Sequence, residues 1–364
     1  MLWSVIILAA FLLAVFCFIY LAWRLTGVFS YERRAKSFFV GLGIVIAFFI
    51  VLVLLWDTVN AITVIFHFAF FGLICDFVFF IVAKLFDKIP SKAFKAALPT
   101  SLAALYLIVA WFMLRGVWQT NYELSTDKNV GSLRVIQFAD SHIGTTFSGE
   151  ELSEYIERMN GLNPDVLLIT GDFVDDDTSK KDMIDACKSL GGAKTEFGVY
   201  FSFGNHDKGY YSSERRGYGK DDLVNELEKN GVTVLEDEAV LLDDRFYIVG
   251  RKDVSENLLG NGRLSADNLL EGLDREKYII VMDHQPADYE NESESAADLV
   301  LSGHTHGGQM FPIMFIDKFF GINDFIYGHK RINNTDFIVS SGIADWALMF
   351  RSGSKSEFNV IDIE

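Results

Sequence analysis

The chain has 364 residues, with 32 Lys and Arg against 49 Asp and Glu, and a net charge of −17 at pH 7. Residues 1–118 contain nine basic and four acidic residues, whereas residues 119–364 contain 23 basic and 45 acidic residues. A surface as negative as that of the second part repels polyanions, which argues against nucleic acid as a partner. The length and the uneven charge predict two domains, at 1–120 and 121–364.

Four apolar stretches in the first part reach the roughly 20 residues that a helix needs to cross the hydrocarbon core of a membrane. They are Leu2–Trp23, Phe38–Trp56, Ala61–Leu85 and Leu98–Trp118. The first is too long for the core of a signal peptide and lacks a charged segment before it, so it is predicted to be retained. Residues 1–120 are therefore predicted to form a multi-pass, four-helix transmembrane domain.

Basic residues mark two of the three links between these stretches. The first link carries Arg24, Arg33, Arg34 and Lys36, and the third carries Lys84, Lys88, Lys92 and Lys95. The second link, around Asp57–Asn60, carries no basic residue. Because basic links stay in the cytoplasm, the N-terminus and the whole acidic domain are predicted to be extracytoplasmic. Arg115 opposes this orientation, as one charge against eight.

Two ionisable residues, His67 and Asp76, lie within the third stretch. Such residues are costly inside a membrane and often have a function. On a helix of ~3.6 residues per turn they are about half a turn out of phase, so they are not expected to face one another. Asp76 is expected to lie near the cytoplasmic interface or to pair with another helix.

From Val130 onward, short apolar runs end in polar clusters and alternate with helical periodicity. The runs are Leu133–Ala139, Asp165–Thr170, Val199–Phe203, Tyr278–Met282 and Asp298–Leu301, and the helical segments are Gly149–Met159, Lys180–Leu190 and Asp221–Lys229. Strands that alternate with helices indicate a layered α/β fold. In such folds the functional site forms beyond the ends of the strands, where each of these polar clusters lies.

Five of the seven histidines fall in those strand-end clusters, together with two aspartates and an asparagine. The residues are His142, His206, His284, His304, His306, Asp140, Asp172 and Asn205. Imidazole with carboxylate suits Mn²⁺, Fe and Zn²⁺ better than Ca²⁺. So many ligands predict two ions that share a carboxylate, which is the usual apparatus for hydrolysing phosphate esters. Gly171, Gly204 and Gly303 each precede a candidate ligand, where the chain must turn sharply.

The order of these clusters resembles the signature of the calcineurin-like metallophosphoesterase superfamily. The five blocks are Asp140–His142, Gly171–Asp175, Gly204–Asp207, His284 and Gly303–His306. The continuation to Gln309 resembles a membrane-associated branch that includes UDP-2,3-diacylglucosamine hydrolase-like proteins. The resemblance implies a β-sandwich flanked by helices. Outside the blocks, Arg251-Lys252-Asp253 stands where relatives often have a small acidic turn.

The resemblance also implies a role for each matching residue. One ion would be held by Asp140, His142 and His306, and the other by Asn205, His284 and His304, with Asp172 bridging them. His206 would stabilise the transition state or protonate the leaving oxygen, and Asp207 would orient His206. Mn²⁺ is the first candidate for both ions, with Fe and Zn²⁺ as alternatives.

The segment Met310–Tyr327 is rich in aromatic residues and directly follows a predicted metal-ligand loop. One interpretation is an ordinary part of the hydrophobic core. The other is an apolar patch that faces the bilayer or a lipid tail, because exposed apolar patches often mark such sites.

Three functional hypotheses follow. The leading one is an extracytoplasmic hydrolase of phosphate esters or pyrophosphates on membrane lipids or phosphorylated envelope glycolipids. The second is an anchored phosphoesterase for small soluble phosphates. The third is a membrane sensor or scaffold whose phosphoesterase domain no longer catalyses, which the complete set of ligands disfavours. The expected partners are the substrate and membrane lipids, and no protein partner is predicted.

Overall fold

The computed structural model describes residues 2–27, 34–86, 90–209, 213–312, 314–315, 319 and 321–364. The expectations that concern Arg33 and Lys88, and residues 313, 316–318 and 320 of the segment Met310–Tyr327, lie outside these residues. The chain divides into two compact units, Met1–Trp111 and Phe112–Glu364.

The first unit is helical. Its helices are α1 (Leu2–Thr26), α2 (Arg34–Leu55), α3 (Thr58–Phe86) and α4 (Lys92–Arg115). Each is long and apolar enough to cross a membrane. Large apolar side chains such as Leu54 and Leu85 are 80% and 69% exposed, which water would disfavour and lipid tails would not. These features, with the apolar sequence, indicate association with a membrane.

The His67 and Asp76 side chains of α3 have separate surroundings. The Asp76 carboxylate lies 3.0 Å from Nη1 of Arg24 on α1 and accepts a 2.7 Å hydrogen bond from the Tyr20 hydroxyl. Asp76 therefore pairs with another helix, as expected. The His67 ring stacks on Tyr106 of α4 at 5.1 Å, and its Nδ1 lies 2.7 Å from the carbonyl oxygen of Thr63.

The second unit alternates strands with short helices. The strands are β1 (Val117–Leu124), β2 (Leu133–Phe138), β3 (Val166–Thr170), β4 (Val199–Ser202), β5 (Val232–Val234), β6 (Glu238–Leu242), β7 (Phe246–Gly250), β8 (Tyr278–Met282), β9 (Leu299–Ser302), β10 (Gly328–Ile332), β11 (Thr335–Val339) and β12 (Ser356–Ile363). The helices are α5 (Leu152–Asn160), α6 (Lys180–Leu190), α7 (Ser213–Arg216), α8 (Lys220–Lys229), α9 (Ser255–Leu259), α10 (Ala266–Leu269) and α11 (Tyr289–Glu294).

The strands form two six-stranded sheets within the described residues, in the orders β1-β12-β2-β3-β4-β5 and β10-β11-β9-β8-β7-β6. In the first sheet β2, β3, β4 and β5 are parallel, and in the second β7, β8, β9 and β11 are parallel. The inner faces pack on each other through residues such as Leu168 on β3 and Ile280 on β8. Helices α5, α6 and α8 cover the outer face of the first sheet, and α10 and α11 that of the second. This is the expected β-sandwich flanked by helices.

The local sequence explains these elements. All five side chains of β3, Val-Leu-Leu-Ile-Thr, are buried, because a parallel strand covered on both faces needs apolar residues throughout. In α6 the buried residues Met183, Ala186, Cys187 and Leu190 recur at helical spacing, so one face packs on the sheet. The predicted strands that precede the polar clusters are confirmed as β2, β3, β4, β8 and β9.

The fourth membrane stretch ends earlier than predicted. Helix α4 stops at Arg115, and β1 starts at Val117, inside the range 1–120 assigned above to the transmembrane domain. Residues 117–124 pair in parallel with β12 along their whole length. The apolar side chains of Val117 and Trp118 extended the predicted helix, but the alternating polar residues that follow them suit a strand.

Candidate metal centre

The polar clusters converge because of the strand order. Strands β2, β3 and β4 are adjacent and parallel in one sheet, and β8 and β9 are adjacent and parallel in the other. The loops that leave their carboxyl ends therefore emerge at the same edge of each sheet, and the packing of the two sheets brings both edges together. Each of the seven predicted ligands lies in one of these loops.

The first group of candidate ligands comprises Asp140, His142 and His306. Asp140 Oδ1 lies 4.0 Å from His142 Nε2 and 3.8 Å from His306 Nε2, and the two imidazole rings are 5.2 Å apart. All three side chains are buried. These are the three residues expected to hold one ion.

The second group comprises Asp172, His284 and His304, with ligand atoms within 4.8 Å of one another. The His284 and His304 rings are 5.3 Å apart. Asn205, expected to complete this group, is half-buried, and its Oδ1 lies 3.4 Å from Nε2 of Gln285.

Asp172 lies between the two groups. Its Oδ2 is 3.0 Å from His284 Nε2 in the second group and 3.8 Å from His142 Nε2 in the first. Its Oδ1 accepts a 2.9 Å hydrogen bond from the backbone N–H of His206, which fixes the orientation of the carboxylate. This position is the one that a bridging ligand requires.

The donor atoms fit divalent cations. His284 Nδ1 lies 2.9 Å from the carbonyl oxygen of Thr170, so Nδ1 carries the proton and Nε2 presents a lone pair. That lone pair faces the Asp172 carboxylate without a hydrogen bond, and the buried Nε2 of His142 also makes none among the described residues. Buried lone pairs that face each other repel unless a proton or a metal cation lies between them.

Electrostatics favour the same arrangement. Burial disfavours the charged form of His284, but the charge of Asp172 outweighs it and raises the pKa of His284 well above its usual value. Burial lowers the pKa of His304 to about 3, with the charge of His284 adding to the effect. Burial raises the pKa of Asp140 to about 6. Asp172 therefore stabilises positive charge beside it, carried either by a proton on His284 Nε2 or by a metal cation in its place, while burial keeps the His304 ring neutral, as a metal ligand must be.

The backbone is strained where the ligands lie. Five of the seven predicted ligands have a positive φ, between 35° and 69°, which L-residues rarely adopt. They are Asp140, His142, Asp172, His304 and His306. Such strain persists only where the surrounding structure enforces it, and it clusters at functional sites.

The three glycines expected at the sharp turns serve two different needs. Gly171 has a φ of +76°, so its conformation favours glycine. Gly204 and Gly303 have ordinary φ values but lie against carboxylates: an added Cβ would come within 2.4 Å of Asp140 Oδ2 at Gly303 and closer still to Asp172 at Gly204. Space for ligand side chains, rather than a sharp turn, explains these two.

The structure differs from the expectation for Asp207. Its carboxylate accepts backbone hydrogen bonds of 2.7–3.0 Å from Asp172, Phe173, Val174 and Gly204. It therefore holds the loop of the bridging aspartate instead of orienting the His206 ring. The carboxylates nearest to His206 Nδ1 are those of Asp176, at 3.5 Å, and Asp175, at 3.9 Å. A buried carboxylate that accepts hydrogen bonds from four N–H groups has no free lone pair with which to accept another from the His206 ring.

Two supporting contacts were not identified from the sequence. Asp345 Oδ1 lies 3.1 Å from His306 Nδ1, and its Oδ2 lies 3.2 Å from Nε of the fully buried Arg351. Asp253 accepts a hydrogen bond from Gln285 Nε2, which also contacts Asn205. Such groups orient metal ligands and increase their basicity. Neither Asp345 nor Arg351 stands in one of the five blocks, so no sequence pattern identifies them.

Arg251 has a structural role. Its guanidinium is 2% exposed and forms ion pairs with Asp283, Asp288 and Glu292 at 2.6–3.1 Å. It thus braces the residue that precedes His284 and is not available to a substrate. Within Arg251-Lys252-Asp253, Arg251 is therefore structural, and Asp253 contacts the site through Gln285.

The two ends of the aromatic segment Met310–Tyr327 lie beside the loop that carries His304 and His306. The segment starts beside Gln309, whose Nε2 donates to Asp345, and returns at Ile326, whose carbonyl accepts from the Thr305 hydroxyl between two predicted ligands. Met310 is buried, as the core interpretation expects, whereas Phe319 and Ile322 are 86% and 63% exposed. Met310 therefore fits the core interpretation, and Phe319 and Ile322 fit the interpretation as an exposed apolar patch.

Known proteins share this sequence pattern. A family model described as calcineurin-like phosphoesterase matches residues 133–308. A transmembrane protein with a metallophosphoesterase domain from Danio rerio is 30% identical over 246 residues, which are 64% of this chain and 54% of that protein. An uncharacterized metallophosphoesterase from Aquifex aeolicus is 32% identical over 195 residues, 52% of this chain and 70% of that protein. The chain spans about half the length of the first relative.

Among solved structures, a dimetal phosphatase from Danio rerio matches 58% of this chain and 87% of its own, at 11% identity and a TM-score of 0.34. A score this low supports no conclusion about function.

Proposed function

The chain belongs to the calcineurin-like phosphoesterases, and on that premise we propose that it is a membrane-anchored hydrolase that uses two divalent metal ions to cleave phosphate ester or pyrophosphate bonds. We propose Mn²⁺ as the preferred ion, with Fe or Zn²⁺ as alternatives. The observation that carries the proposal is the convergence of two buried ligand groups on the Asp172 carboxylate.

The side chains of the site would have separate roles as metal ligands and as a proton donor. Asp140, His142 and His306 would hold one ion, Asn205, His284 and His304 the other, and Asp172 both. When bound, two such ions polarise the phosphoryl group and activate the attacking water. His206 is half-buried, and its Nδ1 faces Asp175 and Asp176, which leaves Nε2 for the substrate. This arrangement supports His206 as the donor of a proton to the leaving oxygen.

Two features support a lipid-linked substrate. The helical unit anchors the enzyme at a membrane, where such a substrate needs no diffusion through bulk water. The exposed Phe319 and Ile322 lie in the segment at the rim of the site and would contact a lipid tail or the bilayer surface. The resemblance of Gly303–Gln309 to UDP-2,3-diacylglucosamine hydrolases supports an envelope glycolipid.

The basic links support an outer-face location. Because the two basic links of the helical unit favour the cytoplasm, the acidic catalytic unit would lie outside. That location disfavours a cytosolic nucleotide sugar, even though the resembling branch includes enzymes that cleave one.

A substrate screen tests the proposal. The full-length protein, purified in detergent and supplied with Mn²⁺, is assayed on lipid phosphates, lipid pyrophosphates and soluble esters. We expect the fastest turnover on a lipid-linked substrate and complete loss of it on chelation. Faster turnover of soluble esters would instead favour an anchored phosphoesterase for small phosphates, and activity that survives chelation would refute the two-metal mechanism.

Metal analysis separates the enzyme from a silent sensor or scaffold. His304→Ala should lower the metal content and abolish turnover. His329→Ala is the matched control, because His329 lies on β10 beside Asp336 and is not a predicted ligand. This variant should retain both the metal content and the turnover. A protein that holds its metal yet cleaves nothing in the screen would support the sensor or scaffold.

A further inference from the structure

The membrane unit contains a cavity of about 990 Å³ that belongs to no part of the proposed catalytic site. It is lined by residues of α1, α2, α3 and α4. We infer that this cavity binds an anionic phospholipid, with the phosphate headgroup at its basic end and an acyl chain along its apolar wall. The inference goes beyond the proposed function, because the lipid would be a bound component of the membrane unit and not a substrate.

One end of the cavity is strongly basic. Its lining includes four basic side chains, Arg24, Arg34, Lys92 and Lys95, and one acidic side chain, Asp76. Basic pockets between transmembrane helices bind the headgroups of anionic lipids.

The negative charge of Asp76 is balanced by an ion pair with a neighbouring helix. Asp76 pairs with Arg24 at 3.0 Å and accepts a hydrogen bond from Tyr20. Nη1 of Arg24 also donates to the carbonyl oxygen of Gly72 at 2.8 Å, and its Nη2 donates to that of Lys95 at 2.5 Å. Arg24 thereby links α1 to α3 and α4. Together with Asp76 it forms an ion pair that adds no net charge to the lining of the cavity.

The other three basic residues are not balanced by acidic side chains. Arg34, Lys92 and Lys95 make no ion pair with any acidic residue in the part of the chain that the structure describes. Arg34 is the first residue of α2 and Lys92 the first of α4, and Lys95 lies one turn further along α4. Three positive charges that converge on one cavity complement the negative charge of a phosphate headgroup.

The remaining wall is apolar and deep. It includes Ile44, Val45 and Phe48 on α2 and Ile65 and Phe68 on α3. From Arg34 to Phe48 the helix rises ~21 Å at ~1.5 Å per residue, which is more than half of the hydrocarbon core of a membrane. A free phosphate ion would use only the basic end, whereas a phospholipid uses both. The basic end also lies on the links predicted to be cytoplasmic, where anionic lipids are abundant.

Lipid binding to the full-length protein in mild detergent tests the inference. Native mass spectrometry measures the bound fraction with phosphatidylglycerol and with phosphatidylcholine of the same acyl chains. We expect tighter binding of phosphatidylglycerol. The double variant Lys92→Gln/Lys95→Gln should weaken that binding by ~10-fold or more and leave phosphatidylcholine unaffected.

The matched control is Lys36→Gln/Lys84→Gln, which removes two lysines of the same unit that do not line the cavity. It should bind phosphatidylglycerol as the native protein does. Equal binding of the two lipids, or equal loss in both double variants, would overturn the inference.

A second variant and a competitor distinguish a lipid from a free phosphate ion. Ile44→Trp narrows the apolar part of the cavity without changing its charge and should weaken binding of phosphatidylglycerol. Inorganic phosphate at millimolar concentration should not displace the lipid. Displacement by inorganic phosphate, with no effect of Ile44→Trp, would assign the cavity to a free anion and contradict the inference. The catalytic assay is not involved, so failure here leaves the proposed function untouched.

Discussion

Single residues at the metal centre have separate tasks that their spacing in the chain does not reveal. Asp207 and His206 are neighbours in the sequence, yet the Asp207 carboxylate is hydrogen-bonded to four backbone N–H groups while the His206 ring faces Asp175 and Asp176. Asp207 thus shapes the loop that carries Asp172. His206 is half-buried and is proposed to face the substrate, so it is the better target for a test of catalysis.

His206→Asn should lower turnover by about 10²–10⁴-fold on substrates with a poor leaving group, because their leaving oxygen needs a proton. An aryl ester such as a nitrophenyl phosphate needs no such proton and should lose less. Steady-state kinetics on the two substrates, with metal analysis of the variant, checks this. If the metal content falls along with the activity, His206 is a ligand and the assignment of a proton donor is wrong.

Gly204→Ala should abolish metal binding, because the added Cβ would overlap Asp172 Oδ1 and displace the bridging carboxylate. Gly161→Ala is the matched control: Gly161 follows α5 with a φ of −62°, and a Cβ there meets nothing closer than 3.4 Å. Metal content and far-UV circular dichroism of both variants are the measurements. A folded Gly204→Ala protein with full metal content would contradict the close approach seen here.

At the scale of elements, the site depends on strand ends and on one loop segment. The parallel strands β2, β3, β4, β8 and β9 deliver the predicted ligands, and the segment Met310–Tyr327 leaves and re-enters beside them. Within this segment Met310 is buried, whereas the side chains of Phe319 and Ile322 are exposed. Apolar side chains exposed at the rim of a site give a local preference for apolar substrates.

Phe319→Ser should therefore reduce activity on a lipid substrate in vesicles several-fold and spare a soluble chromogenic ester, because it removes an exposed apolar contact without touching a ligand. Leu241→Ser serves as the control, since Leu241 is a 39% exposed apolar side chain on β6, outside this segment. Comparing kcat/KM on the two substrates for each variant is the check. Equal loss on both substrates would point to a structural role for Phe319.

On the scale of the whole molecule, the chain joins a basic helical unit to an acidic unit that carries the calcineurin-like phosphoesterase match. The helices explain membrane association, while the side on which the acidic unit lies stays a prediction from the basic links. The native cysteines Cys17, Cys75 and Cys187 are all buried, so an introduced cysteine can report on that side.

Leu258→Cys places a thiol at an 89% exposed position of the catalytic unit. An impermeant maleimide should label it in intact cells, since that unit is predicted to lie outside. Ser91→Cys, at an exposed position just before α4 in a predicted cytoplasmic link, should be labelled only after lysis. The reverse pattern of labelling would show that the orientation is wrong.

The four apolar helices, the strands that end in polar clusters and the family could be predicted from the sequence, because periodicity, length and ordered blocks are local properties of the chain. The supporting role of Asp207 in a loop, the space that Gly204 and Gly303 leave for carboxylates, and the contact of Asp345 with both His306 and Arg351 became visible only in the folded chain. It also revealed the basic cavity between the helices. These features arise from contacts between residues far apart in the chain, and no local pattern encodes which distant groups will meet in a packed interior.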